Sequence, residues 1–154
     1  MPDCCTMMLL NAYIYTENHV TMTIEELNQY CQNSLVEHLG IKFTEYDDDS
    51  IVGTISIKPL HMQPAGVVHG GVYITLAETL AGAGSSLILD QDKIALGSTI
   101  NSQHIASVKK GMITGIATII HKGTFKHIWD VKITDDLGKL ISISRVTNSI
   151  KELK

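Results

Sequence analysis

A chain of 154 residues, 44% of them hydrophobic, is one ordinary domain with enough apolar material for a core, which excludes a disordered chain and removes any need for disulfide staples. A formal net charge of −4 argues against a nucleic-acid partner and leaves recognition of any anionic ligand to a local basic cluster. Cys4, Cys5 and Cys31 are odd in number and include no CxxC pair, so they suggest neither a disulfide framework nor a metal site and read as reduced thiols of a cytoplasmic protein.

Residues 1–22 read as a loosely ordered extension. They lack the basic n-region and long apolar run of a secretory leader, and Glu17, Asn18 and His19 interrupt them. An alternative is a natural start at Met22. A single domain is expected over 23–154. Thr23 and Glu26 form a T-x-x-E capping box, in which each side chain satisfies an orphan N–H of the first turn. Leu27, Tyr30, Cys31, Leu35 and Leu39 then fall on one helical stripe, which Gly40 ends as a C′ glycine. Alternation predicts a strand around Ile41 and Phe43. A second follows the Asp47–Asp49 turn, with Ile51, Gly53, Ile55 and Ile57 on one face. Pro59 and Pro64 bracket a loop.

His69-Gly70-Gly71 then opens a segment in which Glu78 is the only charge from Val72 to Leu89. A helix apolar on all sides is a buried one. Roughly 18 residues at about 1.5 Å each span on the order of 27 Å, enough to cross a small domain. A membrane span is disfavoured by the Gly and Ser content and by the lack of basic flanks and aromatic anchors. Four more strands are predicted, roughly Ile94–Ile105, Met112–His121, Phe125–Thr134 and Leu140–Ile150, joined by short links that imply an antiparallel sheet. In the third, Phe125, His127, Trp129, Val131 and Ile133 share one face. The economical architecture is α+β: one curved antiparallel sheet wrapped around the buried helix.

Glu78 is the sharpest candidate for chemistry, because a carboxylate in an apolar helix is costly unless paired or functional. The structural alternative is an ion pair. The glycines after His69 permit close ligand approach, and free N–H groups at a helix start face an anion or a developing oxyanion. A plain helix-entry turn is the competing reading. His104 alone reads as a strand histidine, and Lys109, Lys110, Lys122 and Lys126 as solvated hairpin ends, although a basic rim would suit a phosphorylated ligand. No P-loop, GxGxxG, GxSxG or HExxH motif is present.

QPAGVVHGGVYITLAETLAG, followed in order by INSQHIASVKKG and HKGTFKHIWDVKITDDLGKLISISR, resembles the hotdog-fold acyl-CoA thioesterases of the phenylacetate-degradation and dihydroxynaphthoyl-CoA branch. The resemblance runs from about Thr23 to Ile150. It implies an acyl-CoA thioester as substrate, with CoA as part of the substrate rather than a cofactor and no metal. It implies Glu78 as nucleophile or general base, the Gly70 N–H as oxyanion hole, and His69 and Gln63 as groups that orient or polarise the carbonyl. Gly71, Gly97, His104, Ile105, Ala106, Ser107, His121, Lys122, Gly123, Thr124, Phe125 and Lys126 match substrate- or CoA-contacting positions; Lys109 and Lys110 join them on charge alone. The family places its pocket between two subunits, so a homodimer or a tetramer of paired dimers is implied, with neither nucleic acid nor membrane as partner. Relatives often carry Ser or Thr one turn after the Glu to place water; here that position is Gly82. The competing functions are a hotdog enoyl-CoA hydratase or dehydratase, which would conscript His69, and a non-catalytic acyl-CoA sensor.

Overall fold

The computed structural model describes residues 14–16 and 19–153. Most of the expected N-terminal extension lies outside the described residues; within it, β1 (Ile14–Thr16) and β2 (His19–Thr21) pair antiparallel.

The capping box forms at the start of α1 (Ile24–Tyr30), where the Glu26 amide donates to Thr23 Oγ1 at 3.2 Å and the Thr23 amide to Glu26 Oε2 at 2.7 Å. The single helical stripe expected to run on to Leu39 does not. Asn33 adopts a left-handed φ of 58°, and Ser34 caps a separate one-turn helix, α2 (Leu35–His38). Ser34 Oγ accepts from the Val36 amide and donates to the Cys31 carbonyl. These local side-chain bonds outcompete the continuing helix ladder. Tyr30 and Leu35 are consequently exposed, while Leu27 is buried and Gly40 ends the segment at a φ of 64°. Asn28 then fastens α1 to the sheet, donating to the Phe43 carbonyl at 2.9 Å and accepting from its amide at 3.0 Å.

Six strands follow: β3 (Ile41–Tyr46), β4 (Ser50–Ser56), β5 (Lys93–His104), β6 (Met112–Lys122), β7 (Lys126–Asp135) and β8 (Leu140–Glu152). They form one antiparallel sheet in the order β3-β4-β6-β7-β8-β5, which is the expected architecture. The strand that follows the long helix in sequence thus lies at an edge. A bulge interrupts it: Gly97 pairs with Asn148 and Thr99 with Thr147, leaving Ser98 as the extra residue. Phe125 does not share the buried face of His127, Trp129, Val131 and Ile133; it sits in the β6–β7 turn and is 78% exposed.

The long helix, α3 (Gly70–Leu87), lies against the sheet through Val72, Tyr73, Leu76, Ala77, Leu80, Ala81, Gly84 and Ser85. Its burial is one-sided: Glu78 and Ser86 are exposed on the opposite face. The expectation of a helix buried all round is therefore corrected, because the sheet curves around one face only. Trp129 Nε1 donates to Ser85 Oγ at 2.8 Å, and Asn148 Nδ2 donates to Ser85 Oγ and to the Ala81 carbonyl, both at 2.9 Å. Among the described residues no helix is long and apolar enough to cross a membrane.

His61 locks the loop that leads into α3. It is buried, its Nδ1 accepts from the Lys58 amide at 2.9 Å, and its Nε2 therefore carries the proton donated to the Leu39 carbonyl at 3.0 Å. Burial holds its pKa below the usual 6.5, assisted by Lys58 and His38 and opposed by the bond to Leu39. Burial also lowers the pKa of His127. With the folded value depressed, the unfolded chain binds more protons, so this stability is complete above about pH 6.5 and is lost as pH falls toward the folded value. Denaturant unfolding of wild type should show a decline between about pH 7 and pH 5. His61→Phe should be about 1–3 kcal/mol less stable at neutral pH, because two backbone groups lose their partner, and its decline with pH should be shallower.

Candidate active site

The loop between β4 and α3 folds back on itself. Met62 bridges Val68, the Gln63 amide donates to the Val67 carbonyl at 2.9 Å, and Gly66 turns the chain at a φ of 73°. Gln63 Nε2 lies 3.4 Å from the Val68 carbonyl. His69 follows as the N-cap of α3, its Nδ1 accepting from the Gly71 amide at 2.9 Å. Neutral His69 is thereby fixed with its proton on Nε2, free to donate outward. The Val72 amide is also taken, by the His69 carbonyl. Among the described residues, no acceptor pairs with the Gly70 amide, so the helix start keeps an unspent donor where its dipole favours negative charge.

His104, at the end of β5, packs against Gly70 on the side where a side chain would be. A Cβ on Gly70 would sit 2.6 Å from His104 Nε2, so only glycine permits the approach. His104 Nδ1 lies 3.0 Å from Ser142 Oγ, which donates to the Gln103 carbonyl at 3.1 Å and so accepts from the imidazole. Ser102 lies within reach of both Ser142 and Ser144. The ring is braced further by an edge contact with Tyr73 at 5.3 Å. The serine ladder escaped the sequence reading. The alternation Ser142, Ser144 in β8 was its signal.

Glu78 is seated elsewhere on the same seam. A Cβ on Gly97 would lie 2.6 Å from Glu78 Oε1, so the carboxylate rests on bare β5 backbone. Gly97, which the resemblance matches to a CoA-contacting position, lies directly beneath the carboxylate. No ion pair involves Glu78 among the described residues, which removes the structural salt-bridge reading within the chain. Gly97, Asn148, His127 and Lys122 are successive cross-strand partners. This row therefore links the carboxylate to the β6–β7 turn holding His121, Lys122, Gly123, Thr124, Phe125 and Lys126. His104 pairs with Ser142, six residues from Asn148 along β8, or about 20 Å.

One chain therefore holds the candidate residues in two separate groups. The first holds Gln63, His69, Gly70, Gly71 and His104, with Ile105, Ala106, Ser107, Lys109 and Lys110 in the adjoining loop. The amides of Ile105 and Ala106 bond the Ile141 carbonyl, and the Val108 carbonyl accepts from Val68, which ties this loop to the Gln63 hairpin. The second group holds Glu78, Gly97 and the β6–β7 turn. Within one chain the lysines lie at two places, since Lys110 precedes β6 and Lys122 ends it, on the order of 35 Å away. A concavity of about 440 Å³ on the sheet, lined by residues including Asp130, Lys132, Ile143 and Arg145, contains none of the expected site residues. Among the described residues no three His, Cys, Asp or Glu side chains gather as a metal site.

Residues 65–142 match the model of the Thioesterase superfamily. The 1,4-dihydroxy-2-naphthoyl-CoA hydrolase of Listeria monocytogenes is 36% identical over 77% of this chain and 96% of its own length. The proofreading thioesterase EntH of Cronobacter turicensis is 33% identical over 84% of this chain and 94% of its own. The crystal structure of a thioesterase from Haemophilus influenzae superposes with a TM-score of 0.84 at 41% identity, covering 86% of this chain and 93% of that one. With the expected fold in place and the family model spanning half its length, the chain belongs to the thioesterase superfamily and is a thioester hydrolase of hotdog type.

Proposed function

We propose that this enzyme hydrolyses an aryl or medium-chain acyl-CoA to the free acid and CoA, at a site completed by two copies of the chain. The observation that carries the reading is the separation of the two groups. A carboxylate and an oxyanion donor must both lie near 3 Å from one carbonyl, yet along α3 Gly70 and Glu78 are eight residues apart, a rise of about 12 Å. The carboxylate is drawn further off by its seat on Gly97. Glu78 of one protomer therefore works with Gly70 of the partner subunit.

The edge strand supports the pairing. The outer edge of β5 is unpaired among the described residues and carries exposed Ile94 and Leu96, a row of open donors and acceptors. Two β5 strands paired about a twofold axis near Ile100 and Asn101 bring Gly97 opposite the partner subunit's His104. The Ile105–Lys110 loop of one protomer then meets the β6–β7 turn of the other, and their lysines form one basic rim for the CoA phosphates.

In this reading the Gly70 N–H and the His69 Nε2–H receive the carbonyl oxygen as it gains charge, with the Gln63 amide orienting it. Glu78 either takes a proton from the attacking water or attacks as nucleophile. Water ends as the new acid hydroxyl and a proton, the C–S bond breaks, and CoA leaves as a thiolate that the proton neutralises. The names of the naphthoyl-CoA hydrolases among the relatives support an aryl acyl group. A hydratase would need a His–carboxylate pair, and the Nδ1 of His69 is already taken by the Gly71 amide.

Glu78→Gln should lower kcat by about 10²–10⁴-fold while the melting temperature holds or rises, since the amide removes the basic oxygen but no ion-pair partner. Retention of more than about a tenth of wild-type kcat in the folded variant would remove Glu78 from the chemistry. Mixing Glu78→Gln with His69→Ala protomers should recover about a quarter of wild-type activity, because each mixed dimer contains one intact site. No recovery, with subunit exchange verified by mass spectrometry, would place the whole site within one chain. Lys109→Ala with Lys110→Ala should raise KM for CoA thioesters more than it lowers kcat, and the difference should shrink as salt rises. An unchanged KM would free both lysines from CoA binding.

A further inference from the structure

Four glycines lie in α3, and three are enforced by contact. A Cβ at Gly70 would sit 2.6 Å from His104, at Gly71 2.9 Å from His69, and at Gly84 2.6 Å from Trp129. Gly82 differs, for a Cβ there would meet nothing within 4 Å. Its backbone is ordinary helix, and it is absent from the positive-φ residues. A glycine inside a helix costs stability relative to alanine, so a residue that neither packing nor backbone requires calls for another reason.

Its position supplies one. Gly82 lies four residues after Glu78 and four before Ser86, so the three share the helix face that the sheet leaves open. The rise from Glu78 is about 6 Å, the distance from a thioester carbonyl to a substituent on the first few acyl atoms. Ser86 bounds the space on the far side, its hydroxyl turned back to donate to the Gly82 carbonyl at 3.0 Å. Glu78 is the only charge between Val72 and Leu89, so this stretch of wall suits an acyl group and not the CoA phosphates.

We propose that Gly82 is a specificity-determining residue: the missing side chain opens the wall beside the Glu78 carboxylate and admits acyl groups substituted close to the thioester carbonyl, such as α-branched chains or ortho-substituted aromatic rings. This rests on the reading of Glu78 as the catalytic carboxylate. A methyl group at position 82 fills the opening while leaving unsubstituted acyl groups their path. The residue therefore sets the ratio of rates between substituted and unsubstituted substrates.

The test compares wild type, Gly82→Ala and Gly82→Val on two matched pairs, benzoyl-CoA with 2-methylbenzoyl-CoA and butyryl-CoA with 2-methylbutyryl-CoA. The ratio of kcat/KM, substituted over unsubstituted, should fall about tenfold or more in Gly82→Ala, and the melting temperature should rise. Gly82→Val should lower the ratio further. A ratio within about twofold of wild type in an intact Gly82→Ala assembly would overturn the proposal, being far below what one methyl group costs in a filled pocket. So would a lower melting temperature or a dissociated assembly, since the glycine would then serve close packing against a second copy. Glu78→Gln assayed on the same four thioesters separates the two levels of failure. If that variant stays active, the catalytic reading falls and the present one with it; if it is dead and the ratio is unchanged, Gly82 alone is wrongly assigned.

Discussion

Leu80 enters a slot whose walls are backbone. A Cβ on Gly53 would lie 2.8 Å from one of its methyl groups, and a Cβ on Gly115 would lie 2.8 Å from the other. Those glycines are cross-strand partners on β4 and β6, so the central strands are stripped of side chains where the middle of α3 crosses them. Gly84 makes the reciprocal concession on the helix, for Trp129. The close approach lets Ser85 and the Ala81 carbonyl reach Trp129 and Asn148, fixing the helix in rotation as well as depth. A helix fixed in both can hold a carboxylate against one chosen strand residue.

The chemistry lies on the face that this packing leaves uncovered. The same helix that buries Leu76 and Leu80 to completion turns Glu78 outward. A carboxylate so placed suffers little desolvation and needs no internal counter-ion. Its positioning comes from shape, through the Gly97 backbone beneath it. The oxyanion end is arranged by hydrogen bonding instead, with His69 and Gly71 consuming one another's groups so that the Gly70 amide is left over.

Local features of the sequence were legible in proportion to how locally they are determined. The capping box of α1, the glycine that ends the segment and the strands near their observed limits all follow from interactions within a few residues. The break at Asn33 is equally local, but a helical stripe of apolar residues masked it, and only Ser34 as a second cap betrays it. Strand order was not legible, because the pairing of β5 with β8 is decided by contacts some fifty residues apart. That order decides which candidates meet. It placed β5 beside β8, with Gly97 beneath the carboxylate and His104 against Gly70; the lysines are parted by the length of β6, and Gly70 from Glu78 by two turns of α3. Phe125 shows the limit of alternation, for a turn begins one residue before the pattern does.

The bulge in β5 has an arithmetic meaning. Side chains along a regular strand alternate, so two residues seven apart point to opposite faces. Gly97 and His104 are seven apart, yet both face α3, one beneath Glu78 and the other over Gly70. Ser98 reconciles them: the two-for-one step between Gly97 and Thr99 changes the count from odd to even, matching the six residues from Asn148 to Ser142 on β8. Were Ser98 taken into the ladder as a regular residue, strict alternation would turn over everything from Lys93 to Gly97. The carboxylate would then meet the Ser98 side chain where it now meets a hydrogen atom, so holding that one residue out of the ladder keeps both ends of the seam in phase.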